Sequence, residues 1–333
     1  MSFPGRIQRE ENVAGELVME NTSVMPKLSV SCKIEITNLM TGERGGTEIS
    51  GCVGGKRSER LGFFVCPKHS GKLCVRVKEL KVLDALGIFA RKITCEEETS
   101  AIVAANCFPI EISMADTVDF LQDSELYSSQ RPGYDPSETF RIREYIPGDP
   151  IRQIHWKLSE KTGEVLVRDF GLPVVNDMLL LAETTRIQGS RFLPEESDHV
   201  LDLLFSVSYS LLMRELPHTV GWQDRDTMAY VSYDMLNTED IAALEDLLMS
   251  AGIADGEMTV AGCYRAEPAE CEYAHAAIIS PYLEPDAHML SRGNRVTVLL
   301  VGSPDSFDDI SGKVNICYVE VRELAEGGLK VEL

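Results

Sequence analysis

Between Gly15 and Ser113 the chain runs through short stretches in which apolar and polar residues alternate with a period of two. These are GELVMEN, LSVSCKIEITNL, GTEISGCV, RLGFFVCP, KLCVRVKELKVLDALGIF and TSAIVAANCFPIEI. A strand sends successive side chains to opposite faces, so the pattern predicts half-buried strands. Asn21, Thr41-Gly42, Gly54-Gly55, Gly71 and Glu96 to Glu98 punctuate them with turn residues. Asn21 and Asn38 are placed to end strands by bonding local backbone. Such closely spaced runs predict an antiparallel sandwich, immunoglobulin-like in architecture, over residues 12–113.

The period changes after Asn176. DMLLLA, Asp177 to Ala182, is a continuous apolar run of the kind required by a parallel strand buried on both faces. In SDHVLDLLFSVSYSLLMREL, Ser197 to Leu216, the residues Val200, Leu203, Leu204, Val207, Leu211 and Leu212 recur at amphipathic-helix spacing. Strand patterns at His218 to Trp222, Thr227 to Val231, Glu257 to Cys263, Ala274 to Ser280, Val296 to Val301 and Asn315 to Val321 then alternate with helices. The helices fall at Asn237 to Ala251 and near Pro285 to Ser291. This predicts a mainly parallel, Rossmann-like sheet flanked by helices on both sides over 173–333. The fold class expected is therefore α/β plus all-β.

Residues 114–172 join the two parts. Met114 to Ser137 is acidic and Ser-rich, with Gly and Pro gathered in Gln130 to Pro136, and is expected to be a mobile linker. FRIREYIPGDPIRQIHWKLSEKTGEVLVRDF, Phe140 to Phe170, comes next as the densest signal in the chain. Its alternation predicts a strand that stops at Pro147-Gly148-Asp149-Pro150, where a ladder donor is missing and a turn is set. Ile151 to Leu158 reads as a short helical turn with Asp149 placed like an N-cap, Gly163 breaks the chain, and Glu164 to Phe170 returns as a second strand. The expected role is an elbow that fixes the orientation of the two domains. Asp149 pairs there with Arg152 or with the loop's own amides, Trp156 is buried against the α/β domain, and Arg143 and Arg168 pair across the hairpin.

Composition narrows the chemistry. A net charge of −21 argues against sequence-independent nucleic-acid binding, which needs a basic face, and leaves only a local basic patch to escape the argument. The basic cluster Arg141, Arg143, Arg152, Lys157 and Lys161 sits among Glu138, Glu144, Asp149 and Glu160, and reads as an internal ion-pair network. The 9 cysteines show no C-x-x-C pair, which predicts reduced, mostly buried thiols in a cytosolic setting. His69 beside Ser70-Gly71 reads as a turn residue with no titrating partner, and His155, with Asp149 and Glu160 near it in sequence, as a structural imidazolium or a hydrogen-bonded ring. Cys271 and His275 stand one helical turn apart but lack a third, orienting group. Walker, dinucleotide, nucleophile-elbow and H-E-x-x-H patterns are absent. So are a signal peptide and any apolar window of about 18 residues.

The hairpin stretch resembles the signature of the domain of unknown function 58 family, bacterial proteins often encoded beside a MoxR-type AAA+ ATPase. Tyr145, Pro147, Gly148, Asp149, Arg152, Ile154 and Trp156 match its Y-x-P-G-D-x-x-R-x-I-x-W run. Gly163, Val167, Arg168 and Phe170 match the next segment and strand, and Asp84, Gly87, Phe89 and Arg91 answer an upstream D-P-F-G-L-F-x-R-like segment. The resemblance implies a von Willebrand factor A-like C-terminal domain, whose relatives bind Mg²⁺ through an Asp-x-Ser-x-Ser loop and later Thr and Asp residues. Here the loop reads Glu183-Thr184-Thr185-Arg186-Ile187, and Ser280-Pro281 stands where the later Asp is expected. Glu183 can replace the Asp and Thr185 the first Ser, but Ile187 offers no oxygen and Arg186 adds a positive charge. A degenerate loop without a tight metal or other cofactor is expected. A weak Mg²⁺ site through Glu183, Thr185 and Asp305 is the alternative.

The function implied is a non-enzymatic interaction or scaffold protein acting with a MoxR-type ATPase in assembly or envelope processes. A Mg²⁺-dependent ligand-binding domain and a metal-dependent hydrolase are the alternatives. Members of the family usually carry membrane helices before the first domain. A cytoplasmic location is expected, at the inner face of the membrane if an anchor precedes this chain.

Overall fold

The alternating stretches of the first part do form strands. The computed structural model describes residues 1–83, 89–113, 135–171, 178–187, 192–266, 273, 275–283, 286–290, 295–301, 314–320, 324 and 329–332. The first eight strands are β1 (Arg6–Ile7), β2 (Val13–Asn21), β3 (Lys27–Asn38), β4 (Arg44–Val53), β5 (Arg57–Val65), β6 (Gly71–Leu83), β7 (Ala90–Ile93) and β8 (Glu98–Val103). A six-stranded sheet runs β1-β8-β6-β3-β4 with β7 also on β6, and β2 and β5 form a separate antiparallel ribbon. Leu17, Phe63 and Val65 of the ribbon and Ile34, Val75, Val77 and Val103 of the sheet belong to one buried cluster between the two layers.

Asn38 ends β3 as its side chain dictates. Its Oδ1 accepts from the Met40 amide at 2.9 Å, while its Nδ2 donates to the carbonyls of His69 at 3.2 Å and Ser70 at 3.1 Å. That one amide therefore fixes the β3 turn and the 67–70 loop together. The cysteines depart from expectation, because strand alternation turns Cys52 of β4 outward and Cys66 and Cys107 stand in loops. Among the described residues Cys32 and Cys263 are buried, whereas Cys52, Cys66 and Cys107 are exposed.

After β9 (Glu111–Ser113) come β10 (Asp135–Glu144), α1 (Trp156–Thr162) and β11 (Leu166–Gly171), which make the hairpin. The last part contains β12 (Met178–Ala182), β13 (Thr185–Ile187), α2 (Pro194–Leu212), β14 (His218–Gln223), β15 (Tyr230–Met235), α3 (Asp240–Ala251) and β16 (Ala254–Gly256). It continues with α4 (Val260–Ala266), β17 (His275–Ser280), α5 (Ala287–Leu290), β18 (Arg295–Val301), β19 (Asn315–Val319) and β20 (Lys330–Glu332). Its main sheet has the order β15-β14-β12-β17-β18-β19, parallel throughout except for the antiparallel edge strand β15. The apolar run of β12 is buried on both faces. Leu180 and Ala182 join the core with residues of α2 and α3, and Leu179 and Leu181 join the core with residues of α4 and α5.

Several boundaries differ from the sequence reading, and β10 begins at Asp135, within the stretch expected to be linker, rather than at Phe140. Glu257 to Cys263 is not a strand, because Thr259 accepts the Gly262 amide at 3.2 Å and starts α4. β15 begins at Tyr230 because Asp224 closes a turn by accepting both the amide (2.9 Å) and the hydroxyl (2.7 Å) of Thr227. α2 begins at Pro194, where proline suits a first helical turn, and Glu196 reaches back to the Leu193 amide at 2.5 Å.

The apolar cluster beneath α2 also takes in Met40 and Ile112 from the first part of the chain. Nearby, β20 pairs in parallel with β9. No helix among the described residues is long and apolar enough to cross a membrane.

His218 lies within the main sheet with Nε2 at 2.8 Å from the Ser208 hydroxyl and Nδ1 at 3.1 Å from the Leu216 carbonyl. Burial pushes its pKa down to about 4. A folded pKa below the ordinary value of about 6.5 means that this stabilisation is complete above pH 6.5 and is lost as the pH falls towards 4. Denaturant titrations between those limits should therefore lose about 3 kcal/mol through this residue. His218→Gln should flatten the slope, and an unchanged slope would show that His218 is not the group responsible.

Candidate functional site

The hairpin is built around two carboxylates that share one arginine. Antiparallel register sets Arg141 opposite Asp169, and Arg143 falls on the same face two residues on. Asp169 accepts from Arg141 Nε at 2.7 Å and from Arg143 Nε at 3.2 Å. The other end of the Arg143 guanidinium grips Asp149 through both oxygens, at 2.7 and 2.9 Å. Asp149 also accepts the Ile146 amide at 2.9 Å, and Gly148 takes a φ of 116° that side chains disfavour. Arg143 thus bolts the Tyr145–Asp149 loop to β11. The hydrogen bonds from Arg143, then that from the Ile146 amide, pull the Asp149 carboxyl down to about 2.

Several expectations are corrected here. Asp149 does bond one of its own loop's amides, that of Ile146, as one alternative had it, but its cation is Arg143 rather than Arg152, which is exposed on the 3-10 turn Ile151–Gln153. Arg143 and Arg168 are not a pair, since Arg168 sits opposite Ile142 and two like charges would repel. Nor does Asp149 cap the helix: His155 Nδ1 accepts the Leu158 amide at 3.3 Å and starts α1, and Gly163 closes it in the left-handed conformation.

Trp156 is 64% exposed, against the expectation of burial. α1 is held to β11 by polar anchors instead of its indole, the Ser159 hydroxyl taking the Leu166 amide at 2.9 Å and the His155 amide reaching the Leu166 carbonyl at 2.8 Å. Ile151 at 70%, Ile146 at 60% and the half-exposed Tyr145 add further apolar surface on the same motif. The result is a rigid frame whose inner charges answer one another while its apolar side chains face solvent.

At the main sheet, the strand order reverses between β12 and β17, and the loops leaving them form the crevice where such folds bind ligands. Here protein groups face one another across it. Glu183 is fully buried, with Oε1 accepting the Thr185 amide at 2.6 Å and Oε2 the Val260 amide at 3.0 Å. The Thr185 hydroxyl donates to Gln223 Oε1 at 2.5 Å, and Tyr282 donates to the Thr185 carbonyl at 2.8 Å. Among the described residues no group of three or more His, Cys, Asp and Glu is arranged to hold a metal. Asp305, Cys271, Asp84 and Gly87 lie outside the described residues.

The two parts of the chain meet elsewhere, at a seam the sequence did not announce. α2 presents Asp198, Asp202 and Ser206 at successive turns to three loops of the first part. Asp198 takes the Ser70 amide at 2.7 Å and His69 Nδ1 at 2.7 Å; Asp202 takes the Asn106 amide at 2.8 Å; the Ser206 hydroxyl takes the Phe108 amide at 2.9 Å. Arg9 lies between the two carboxylates, pairing with Asp198 at 3.4 Å and closely with Asp202. Glu245 of α3 adds the Ala105 amide at 3.0 Å and Arg6 at 2.6 Å. His69 therefore has a titrating partner after all, 129 residues away in the chain. The one legible signal was the four-residue spacing of two acids within an otherwise apolar helix.

No protein-family model and no curated protein matches the chain.

Removing Arg9 leaves two buried carboxylates without their shared cation, so Arg9→Ala should destabilise the folded chain by about 3 kcal/mol in denaturant unfolding. A change below about 0.5 kcal/mol, the scale of an ordinary surface substitution, would remove the seam from this role. In the hairpin, Arg143→Ala should expose the 145–150 loop to proteolysis several-fold faster while the unfolding midpoint of the rest stays put. Equal cleavage rates would dissolve the bolt.

Proposed function

We propose that this chain is a non-enzymatic docking scaffold whose hairpin is the part that meets a partner. The observation that carries this reading is the exposed apolar set Ile146, Ile151 and Trp156 on a frame held by Arg143, Asp149 and Asp169. A tryptophan and two isoleucines exposed on a framed backbone are the composition of an interaction hot spot, because little backbone order is lost on binding. Among the described residues, the oxygens of Glu183 and Thr185 are engaged by protein groups, which favours docking over metal-assisted chemistry.

The resemblance to the domain of unknown function 58 family names the partner as a MoxR-type AAA+ ATPase, in assembly or envelope processes. The order β15-β14-β12-β17-β18-β19 with an antiparallel edge strand supports reading the last part as von Willebrand factor A-like, and the two strand layers support an immunoglobulin-like first part. The place of action is the cytoplasm, at the inner face of the membrane where an anchor supplies attachment.

Binding of a purified MoxR-type ATPase to the full chain, followed by interferometry, tests the proposal. Trp156→Ala and Ile151→Ser should each weaken binding by about tenfold or more, as hot-spot truncations do, with no change in the unfolding midpoint. Undiminished binding by both variants would sink the hairpin as the docking element. Added Mg²⁺ should leave the unfolding midpoint unchanged; a micromolar response abolished by Thr185→Val would favour the metal-dependent reading instead.

A further inference from the structure

At the seam, two buried carboxylates meet one guanidinium and one imidazole. Asp198 and Asp202 are each 5% exposed and stand one helical turn apart on α2. Arg9 serves both, and His69 lies with Nδ1 2.7 Å from Asp198 and Nε2 3.9 Å from Glu43. Two ionised acids against one arginine leave an uncompensated negative charge, which a buried site does not tolerate. A proton held within the group removes it.

We propose that the seam is a proton-linked latch: when closed, the Asp198, Arg9, Asp202 and His69 group holds one proton more than the separated faces do, so acid tightens the seam and alkali loosens it. This inference does not depend on the docking role of the hairpin.

The surroundings agree on the sign. Burial pushes the Asp202 carboxyl up to about 6 despite Arg9, and raises Glu245 on α3 as well, where Arg6 bridges it and the exposed Asp246. The neighbouring Cys107 thiol, though exposed, is pushed up and the His199 ring pushed down, in both cases chiefly by desolvation, which disfavours charge on either. Glu10, Lys68 and Glu195 line the solvent side of the same cleft, about 700 Å³ in volume, where water screens them. A carboxyl raised from 3.8 to about 6 contributes fully below its ordinary value and loses that contribution as the pH rises through 6. The core responds in the opposite sense, because burial holds His218 and His275 down and acid weakens it.

Hydrogen exchange on the full chain reads the latch directly, since the Ser70 and Asn106 amides are bonded to Asp198 and Asp202. Protection factors at these amides, corrected for intrinsic exchange, should fall about tenfold between pH 5.0 and pH 7.5. Amides of β12 should not follow them. The double variant Asp202→Asn, His69→Gln keeps a side-chain oxygen for the Asn106 amide but removes two of the three proton acceptors, leaving Asp198 matched by Arg9, and it should abolish the difference. Equal protection at the two pH values in the unsubstituted chain, or an undiminished tenfold fall in a folded double variant, would overturn the proposal. Should the variant not fold, the unsubstituted comparison decides by itself.

Discussion

The structure depends on how an acidic helix face can be buried against loops. α2 shows two carboxylates and a hydroxyl to the first part of the chain, and these meet mainly backbone amides: Ser70, Asn106 and Phe108. Loop amides that close no ladder still need acceptors when buried, and carboxylates that leave water need donors. Each set supplies the other. Arg9 and Arg6 provide the cations, and Asn38 holds the 67–70 loop in place so that the Ser70 amide and the His69 ring reach Asp198. The apolar cluster under α2, which includes Met40 and Ile112, lies beside these contacts. Burial and hydrogen bonding therefore hold the same seam.

The hairpin solves a similar problem with fewer residues. It has no large core of its own, since none of the seven α1 residues is buried. Its rigidity comes from a bidentate arginine and a carboxylate that also holds a loop amide. An apolar surface can then be displayed without collapsing inward. A tryptophan on an unframed loop would lose more freedom on meeting a partner and bind correspondingly less well.

Much of this was legible in the residues. Period-two alternation announced the strands, and the unbroken apolar run at Met178–Ala182 announced a strand covered on both faces. The spacing from Val200 to Leu212 announced a long helix. Turn chemistry was legible where side chains bond their own neighbourhood, as at Asn21 and Asn38. It failed where a short apolar stretch suits two periods, as at Val260–Ala266. Partnerships across the chain were not legible at all. Nothing near His69 hints at Asp198, and Arg143 reaches Asp169, 26 residues further on, because strand register, not sequence distance, decides which groups face each other. Trp156 illustrates the remaining gap, for a large aromatic residue suggests burial and only the tertiary setting says otherwise.

The parallel pairing of β20 with β9 carries a consequence for synthesis. On the ribosome, Glu111–Ser113 emerges long before Lys330–Glu332 exists, so this strand must wait with an open edge while the intervening chain is made. The first layers can close early on their own cluster, but their join to the α/β part is completed only once β20 has been translated. Until then the ladder groups that Glu111–Ser113 offers to Lys330–Glu332 have no strand to receive them, so the order of synthesis sets the order in which this edge closes.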